Sequence, residues 1–323
     1  MSLIRDVKAG FARRPRSLPP KYFYDALGSR LFEAIGQLPW YRITRAETRL
    51  LRRAAPAVAG ALAGPVPVVE LGSGSGEKLV LVVEALRARR KTADVHVVDL
   101  SAAALAASLE RLAKIPGVKP RGHRATYEEG LRQATRPPRA KGECLVLFLG
   151  SNIGNFDPVD AERLLAGIRQ RLRPGDALLL GTDLVKGERA LLEAYDDPLG
   201  LTAVFNRNVL LRLNRELGAD FDLAGWEHRA VWNPGKSRVE MYLVSIASQR
   251  VTIPRAGVVA DFAAGETIFT ESSYKYELPD VERLAGAAGF RREHRWIDGD
   301  ARFSLTLYRA VPGAGARRRK PKP

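Results

Sequence analysis

Between residues 68 and 78 the sequence VVELGSGSGEK ends a short apolar run on an acid, Glu70, and then breaks into glycines at Gly72, Gly74 and Gly76. Glycines at a strand-to-helix turn let backbone N–H groups approach a ligand closely, and an acidic residue about 20 positions further on suits ribose hydroxyls. Asp99 supplies that acid, at the end of a second apolar run, VHVVDLS. The spacing is E-x-G-x-G-x-G; Glu77 stands where the dinucleotide pattern G-x-G-x-x-G wants its third glycine. With both acids in register, the turn points to a nucleoside-type cofactor. A second polar cluster, GSNIGNF at 150–156, follows the apolar run ECLVLFLG. Asn155 there offers a carbonyl acceptor and an amide donor, suited to orienting an amine or carboxylate, although asparagine serves equally as a turn former.

These groups need a scaffold that gathers strand ends, and the middle of the chain alternates accordingly. Strands are expected at 66–72, 94–100, 120–126, 143–150 and 176–185, with helices at 77–89, 102–113, 127–135 and 161–173 between them. Continuous apolar runs such as ECLVLFLG belong in a parallel sheet buried on both faces. The helix at 161–173 stops at Pro174-Gly175. The pattern predicts an α/β, Rossmann-like fold with right-handed crossovers and the ligand at the carboxyl ends of the strands. Near the C-terminus a helix at 281–290 precedes RREHRWID and RFSLTLYRA, read as a β-hairpin across Gly299-Asp300 that completes the sheet.

Two segments break the alternation, 1–50 and 187–276. They are read as one discontinuous substrate-binding lobe that covers the sheet's carboxyl edge and excludes water. The sheet domain then comprises 51–186 and 277–312, and 313–323 is expected to be a disordered basic tail.

Composition narrows the classes. The formal charge is +16, but five of these charges, Arg317, Arg318, Arg319, Lys320 and Lys322, lie in the tail, which leaves +11 for the rest. The remaining arginines are dispersed and aromatics make up 7% of the chain, so no stacking platform for bases is built and no specific nucleic-acid partner is expected. No apolar run approaches the ~20 residues that span a bilayer, and the N-terminus lacks a secretory-type apolar core. The single Cys144 cannot form an internal disulfide, which fits a reducing, cytoplasmic setting. The four histidines lack metal-ligand spacing, so no metal is expected. The chain is expected to act as a monomer.

An acid closing the first strand before a glycine turn resembles the Rossmann-like S-adenosylmethionine-dependent methyltransferases. Base-methylating members usually carry Asn or Asp, two prolines and an aromatic where this chain has GSNIGNF. The segment KYFYDALGSRLFEAIGQLPWYRITRAE (21–47), with K-x-F-Y-D, G-S-x-L-F-E and L-P-x-Y in order, resembles the N-terminal signature of the ergothioneine-pathway L-histidine Nα-methyltransferases. GSNIGNF, VEMYL and TESSYKY (270–276) resemble further motifs of that family, and the likeness runs from about residue 20 to 310. It implies trimethylation of histidine's α-amine with S-adenosylmethionine as donor. Such a donor needs no metal and no covalent enzyme intermediate; the protein must mainly hold a nucleophile at ~3 to 3.5 Å from the methyl carbon.

The resemblance also implies roles. Tyr24, Gly72, Gly74, Lys78 and Asp99 would contact the donor, with Asp99 on the ribose. Tyr41, Asn155 and Tyr195 would hold the α-amino and carboxylate groups, with Tyr24 and Asn155 nearest the chemistry. Glu271 and Ser273 would recognise the imidazole, Met241 would wall it, and Phe32 would lie near the amine. A buried Glu accepting from an imidazole N–H would reject side chains without that donor. One departure stands out: Thr126-Tyr127 replaces the Asp-Phe that contacts adenine in well-known members, so a hydroxyl stands where they have a carboxylate. Asn152, where Thr is frequent, is a smaller one.

Overall fold

The computed structural model describes residues 3–91, 93–136 and 142–312; the expected tail lies outside them. The chain opens with α1 (Leu3–Phe11), the short β1 (Arg16–Ser17), α2 (Ala26–Ile35) and α3 (Ile43–Ala61). The alternating section is β2 (Val66–Leu71), α4 (Glu77–Ala88), β3 (Ala93–Asp99), α5 (Ala102–Ala113), β4 (Arg121–Arg124), α6 (Tyr127–Ala134), β5 (Leu145–Phe148), α7 (Pro158–Arg171) and β6 (Ala177–Asp183). Next come α8 (Glu188–Tyr195), α9 (Leu201–Leu217), β7 (Trp226–Asn233), β8 (Arg238–Ser245), β9 (Gln249–Ile253), β10 (Val258–Phe262) and β11 (Thr267–Tyr274). The chain ends in α10 (Leu278–Ala287), β12 (Phe290–Asp298) and β13 (Phe303–Ala310).

Seven strands form the large sheet in the order β12-β13-β6-β5-β2-β3-β4. From β6 to β4 all neighbours are parallel, and β13 enters antiparallel between β6 and β12. Period-two alternation splits the central strands between two cores. Val66, Val68, Leu145, Leu147, Ala177 and Leu179 face α3 and α4. Val69, Leu71, Val146, Phe148, Leu178 and Leu180 face α6, α7 and α10. Burying a leucine or valine of this kind contributes ~1.5 to 3 kcal/mol. The strand order reverses between β2 and β5, and the crevice outside their carboxyl ends is where such sheets bind ligands.

The smaller sheet runs β1-β11-β8-β7, beside a two-stranded β9-β10 ribbon. It is stitched to the large sheet just past β11, where Tyr276 N–H donates to the Asp183 carbonyl and Val185 N–H donates to the Tyr276 carbonyl. This seam carries the residues after β11 to the open end of β6.

Several expected boundaries move for local reasons. The third strand stops at Arg124, because Thr126 turns out of the sheet and accepts from Glu129 N–H as the cap of α6. α7 begins at Pro158, whose fixed φ suits a first helical position. Within the segment 187–276, RVEMYLVSIASQRV (238–251) supplies two strands in different sheets: it breaks after Ser245, whose Oγ donates to the Ala247 carbonyl across the bend. The division expected at residue 50 falls inside α3, which packs on α4, β12 and β13 of the large sheet.

α2 begins where Asp25 Oδ1 accepts from Gly28 N–H. A Cβ at Gly28 would stand 1.7 Å from the Phe23 carbonyl oxygen and 3.0 Å from Asn208 Nδ2. We expect Gly28→Ala to destabilise the fold by about 3 kcal/mol, since backbone must move to relieve the overlap. Equilibrium denaturation reads this directly; an unchanged midpoint would show that the turn yields freely.

Candidate active site

Two adjoining cavities open at the carboxyl ends of β2, β3 and β5. The outer one, about 410 Å³, is lined by Gly72, Gly74, Asp99, Ser101, Thr126 and Tyr127 together with Ser29 and Phe156. The inner, narrower one is lined by Tyr41, Tyr195, Met241, Glu271 and Ser273 with Ile35, Thr202 and Phe205. Tyr24, Phe32, Asn152 and Asn155 line both, so anything passing between the cavities passes these four side chains.

The outer cavity is built by the glycine turn. Gly72 has φ +76°, and a Cβ there would meet Asn152 Nδ2 at 2.8 Å and the Tyr127 hydroxyl at 3.0 Å. Only glycine keeps that approach open. Asp99 sits at the end of β3, where its carboxylate accepts from Ser101 N–H at 2.8 Å and Gly74 N–H at 3.3 Å. Burial pushes its carboxyl above the ordinary range, while these backbone N–H groups hold it down in part. Ser101 caps α5 and bridges to Ser29 of α2 at 2.9 Å between hydroxyls, tying the N-terminal segment to this wall. Glu70 is buried, with Oε2 unpartnered among the described residues, and burial raises its carboxyl well above the usual range. The Thr126 hydroxyl oxygen caps α6 by accepting from Glu129 N–H, and Tyr127 stands edge-on to Phe148 with centroids 5.2 Å apart.

Lys78 lines neither cavity. Its ammonium pairs with Glu47 of α3, a fully buried carboxylate whose two oxygens also accept from Gly150 N–H at 2.9 and 2.8 Å. The first turn of α4 and the loop after β5 are thereby held to one anchor. Lys78 therefore bears on the placement of both loops, a role that the run EK after the glycines does not signal.

The inner cavity combines N-terminal aromatics with the smaller sheet. Phe32 stands edge-on to Tyr24 at 5.6 Å and to Tyr41 at 6.0 Å, and Tyr41 faces Tyr195 at 6.3 Å. Such edge-to-face contacts fix ring positions at small entropic cost. Burial raises the phenols of Tyr24, Tyr41 and Tyr195 well above their ordinary values, so they act as neutral hydrogen-bonding groups and not as bases. Across the floor, Glu271 of β11 is register partner to Met241 of β8, directly after a bulge between Phe269 and Glu271 that re-aims the strand. Glu271 is 7% exposed, and burial pushes its carboxyl up to about 7 against the opposing pull of Lys275. The Ser273 hydroxyl lies 2.7 Å from that of Tyr195.

All seven residues expected around the amino acid meet in the inner cavity, and all those expected at the donor except Lys78 meet in the outer one. Sequence reasoning missed Ser101, Thr202, Phe205 and the buried Lys275. The alternation of positions 271 and 273 on β11, continued to 275 just past its end, is the signal that could have found Lys275.

A nucleoside-sized chamber joined to a smaller polar one, at the switch point of a Rossmann-like sheet with an antiparallel final strand, defines the S-adenosylmethionine-dependent methyltransferases. The residues suit that donor: Gly72 leaves the turn open to a close approach, and Asp99 presents a carboxylate at the cavity edge. Residues 3–310 match the family described as histidine-specific methyltransferase, SAM-dependent. A histidine N-alpha-methyltransferase of Mycolicibacterium smegmatis is 43% identical over 308 residues, covering 95% of this chain and 94% of its own. Ergothioneine biosynthesis protein 1 of Neurospora crassa is 29% identical over 300 residues, which cover 88% of this chain and 32% of that longer protein. A solved Thermobifida fusca protein described as a methyltransferase shares the fold, with TM-score 0.50, 13% identity and 89% of each chain covered. The chain belongs to the histidine-specific, S-adenosylmethionine-dependent methyltransferase family.

Asp99 then carries a direct prediction. Loss of a charge-assisted hydrogen bond costs ~1.5 to 3 kcal/mol, so Asp99→Ala is expected to weaken S-adenosylmethionine binding about tenfold or more in calorimetric titration. An unchanged dissociation constant would remove Asp99 from the donor site.

Proposed function

We propose that the protein methylates the α-amine of free L-histidine in successive rounds to the trimethylated betaine hercynine, a step of ergothioneine biosynthesis. The observation that carries this reading is the pairing of Glu271 and Ser273, an acceptor and a hydroxyl two positions apart on β11, inside the cavity that meets the donor chamber at Asn155. An imidazole offers one N–H and one bare nitrogen, the complement of that pair. In this arrangement Asn155, Tyr41 and Tyr195 hold the amine and carboxylate, Phe32 and Met241 shape the walls, and Tyr24 closes the passage.

When bound, S-adenosylmethionine supplies an electrophilic methyl group. The protein's task is to desolvate the amine, which favours its neutral nucleophilic form, and to aim its lone pair through the passage. The three neutral phenols place no full negative charge beside the amine, so they do not stabilise its ammonium form.

The labour divides along the sheets. Residues before α3, together with 187–276, form the amino-acid lobe, and the large sheet with α3 to α7 and α10 holds the donor. A cytoplasmic monomer without a nucleic-acid partner completes the proposal; a single, buried cysteine, Cys144, is consistent with a reducing setting. Mass spectrometry of histidine incubated with enzyme and donor should show species carrying one, two and three added methyl groups, and RNA should gain none. Methylation of tryptophan or phenylalanine in preference to histidine would overturn the substrate assignment.

A further inference from the structure

Behind the Tyr195–Ser273 wall lies a buried cation that methyl transfer does not use directly. Lys275 follows β11 at the seam between the two sheets, and its side chain is fully buried. Its ammonium has three protons and three partners: the Tyr195 hydroxyl at 2.7 Å, the Ser273 hydroxyl at 2.9 Å and Asp183 Oδ2 at 3.0 Å. The other oxygen of Asp183 pairs with Lys186. The two hydroxyls are themselves 2.7 Å apart.

Resting on the histidine reading above, we infer that Lys275 is a positioning residue that biases the Tyr195–Ser273 pair toward donating a hydrogen bond to the amino acid. The count is short. Lys275 can only donate, so it occupies one lone pair on each hydroxyl oxygen. One hydroxyl proton is spent between Tyr195 and Ser273, and its acceptor then has both lone pairs filled. The single proton left over belongs to that acceptor and is free to point into the cavity. Whichever way the inner bond runs, one of the two oxygens has no lone pair left and can meet the ligand only as a donor, while the other keeps a single lone pair in place of the two it would have without Lys275. With Glu271 accepting from the ring N–H, that donor meets the bare ring nitrogen, so the site selects a neutral imidazole. Without Lys275 the hydroxyls could rotate and accept instead, and the selection would fade.

The surrounding charges agree. Glu271 is faced by Lys275 from the end of β11, by Tyr24 and Tyr41 from the N-terminal segment, and by Tyr195 from α8; Asp183 of β6 lies behind them. Lys275 is the cation that holds the Glu271 carboxyl down against burial.

The test uses the full-length enzyme and three variants: Lys275→Met, the charge-balanced double variant Lys275→Met/Asp183→Asn, and Glu271→Gln to assign the Glu271 signal. S-adenosylhomocysteine affinity, read in the separate outer cavity, certifies that each variant is folded. If Lys275→Met loses that affinity, the double variant carries the ligand measurements. The ligands are histidine and its pyrrole analogue, which keeps a ring N–H but has no bare nitrogen. Wild type should prefer histidine strongly; in the variants that preference should fall about tenfold, through KM, with kcat within about threefold, because a freed hydroxyl no longer penalises the analogue. In amino-acid-free enzyme, ¹³C resonances should show the Glu271 titration moving to higher pH in Lys275→Met, since a stabilising cation is gone. An unchanged preference in a folded variant overturns the inference. If wild type does not bind histidine at all, the substrate reading fails separately; an unmoved Glu271 titration would then overturn the role of Lys275, and a raised one would support it.

Discussion

Replacing Glu271 with alanine is expected to lower kcat/KM for histidine by about 100-fold while leaving tryptophan and phenylalanine unchanged or improved, because the imidazole N–H loses its buried acceptor, phenylalanine has no N–H to lose one, and the bulkier indole gains the room that the carboxylate filled. A hundredfold corresponds to ~2.7 kcal/mol, within reach of one charge-assisted hydrogen bond and the cost of stranding its donor. The carboxyl of Glu271 is raised to about 7 by burial, so below that pH the acceptor is increasingly protonated and above it the carboxylate is present. Histidine utilisation should therefore rise through neutral pH on an acid limb. The substrate's own amine and imidazole titrate as well, so the informative quantity is wild type divided by Glu271→Gln at each pH. That ratio should climb through the region near 7, and phenylalanine, which has no ring N–H, should show no such climb. A Glu271→Ala variant equally slow on all three amino acids would make Glu271 a structural residue and leave the histidine assignment without its main support.

How far the site is readable in advance depends on the range of the interaction. The glycine turn and Asp99 lie about 27 residues apart in one strand-helix-strand unit, so local pattern and the known geometry of such units place them together. The apolar runs at β5 and β6 are equally plain, since a strand buried on both faces has no alternation to blur. The aromatic wall is different in kind. Tyr24, Phe32 and Tyr41 meet Tyr195, Met241 and Glu271 only because the N-terminal segment packs on α9 and the smaller sheet, contacts that span 150 residues and more. Periodicity cannot show this, and the family signature alone brings those positions to notice. Lys78 shows a different limit. The resemblance places it at the donor, and its ammonium pairs with Glu47, a buried acid on a helix that the sequence division at residue 50 cuts in two. Buried ion pairs of this sort draw on distant partners and leave no local trace, which is also why Lys275 and Asp183 escape a linear reading.

Asn155→Ala should depress methylation of every amino acid tested, by about 100-fold in kcat/KM, because it removes an anchor from groups that all amino acids share. Asn155 closes the short 3-10 turn Asn152–Asn155 after β5, next to Gly154, where a Cβ would stand 2.7 Å from the Tyr274 carbonyl oxygen. That close approach fixes the turn against the residues following Ser273, so the Asn155 amide is held on a rigid element at the junction of the two cavities. A side chain with both a donor and an acceptor there can accept a hydrogen bond from an amine and donate one to a carboxylate, and alanine can do neither. The loss should be common to histidine, tryptophan and phenylalanine, so the ratios among them should stay within about threefold of wild type while the absolute values fall. This is the opposite signature to Glu271→Ala, which should change the ratios. Measuring kcat/KM for the three amino acids on both variants separates the two roles. A fall confined to histidine in Asn155→Ala would move Asn155 from amine placement to side-chain recognition, and the passage between the cavities would then have to be aligned by Tyr24 and Tyr41 alone.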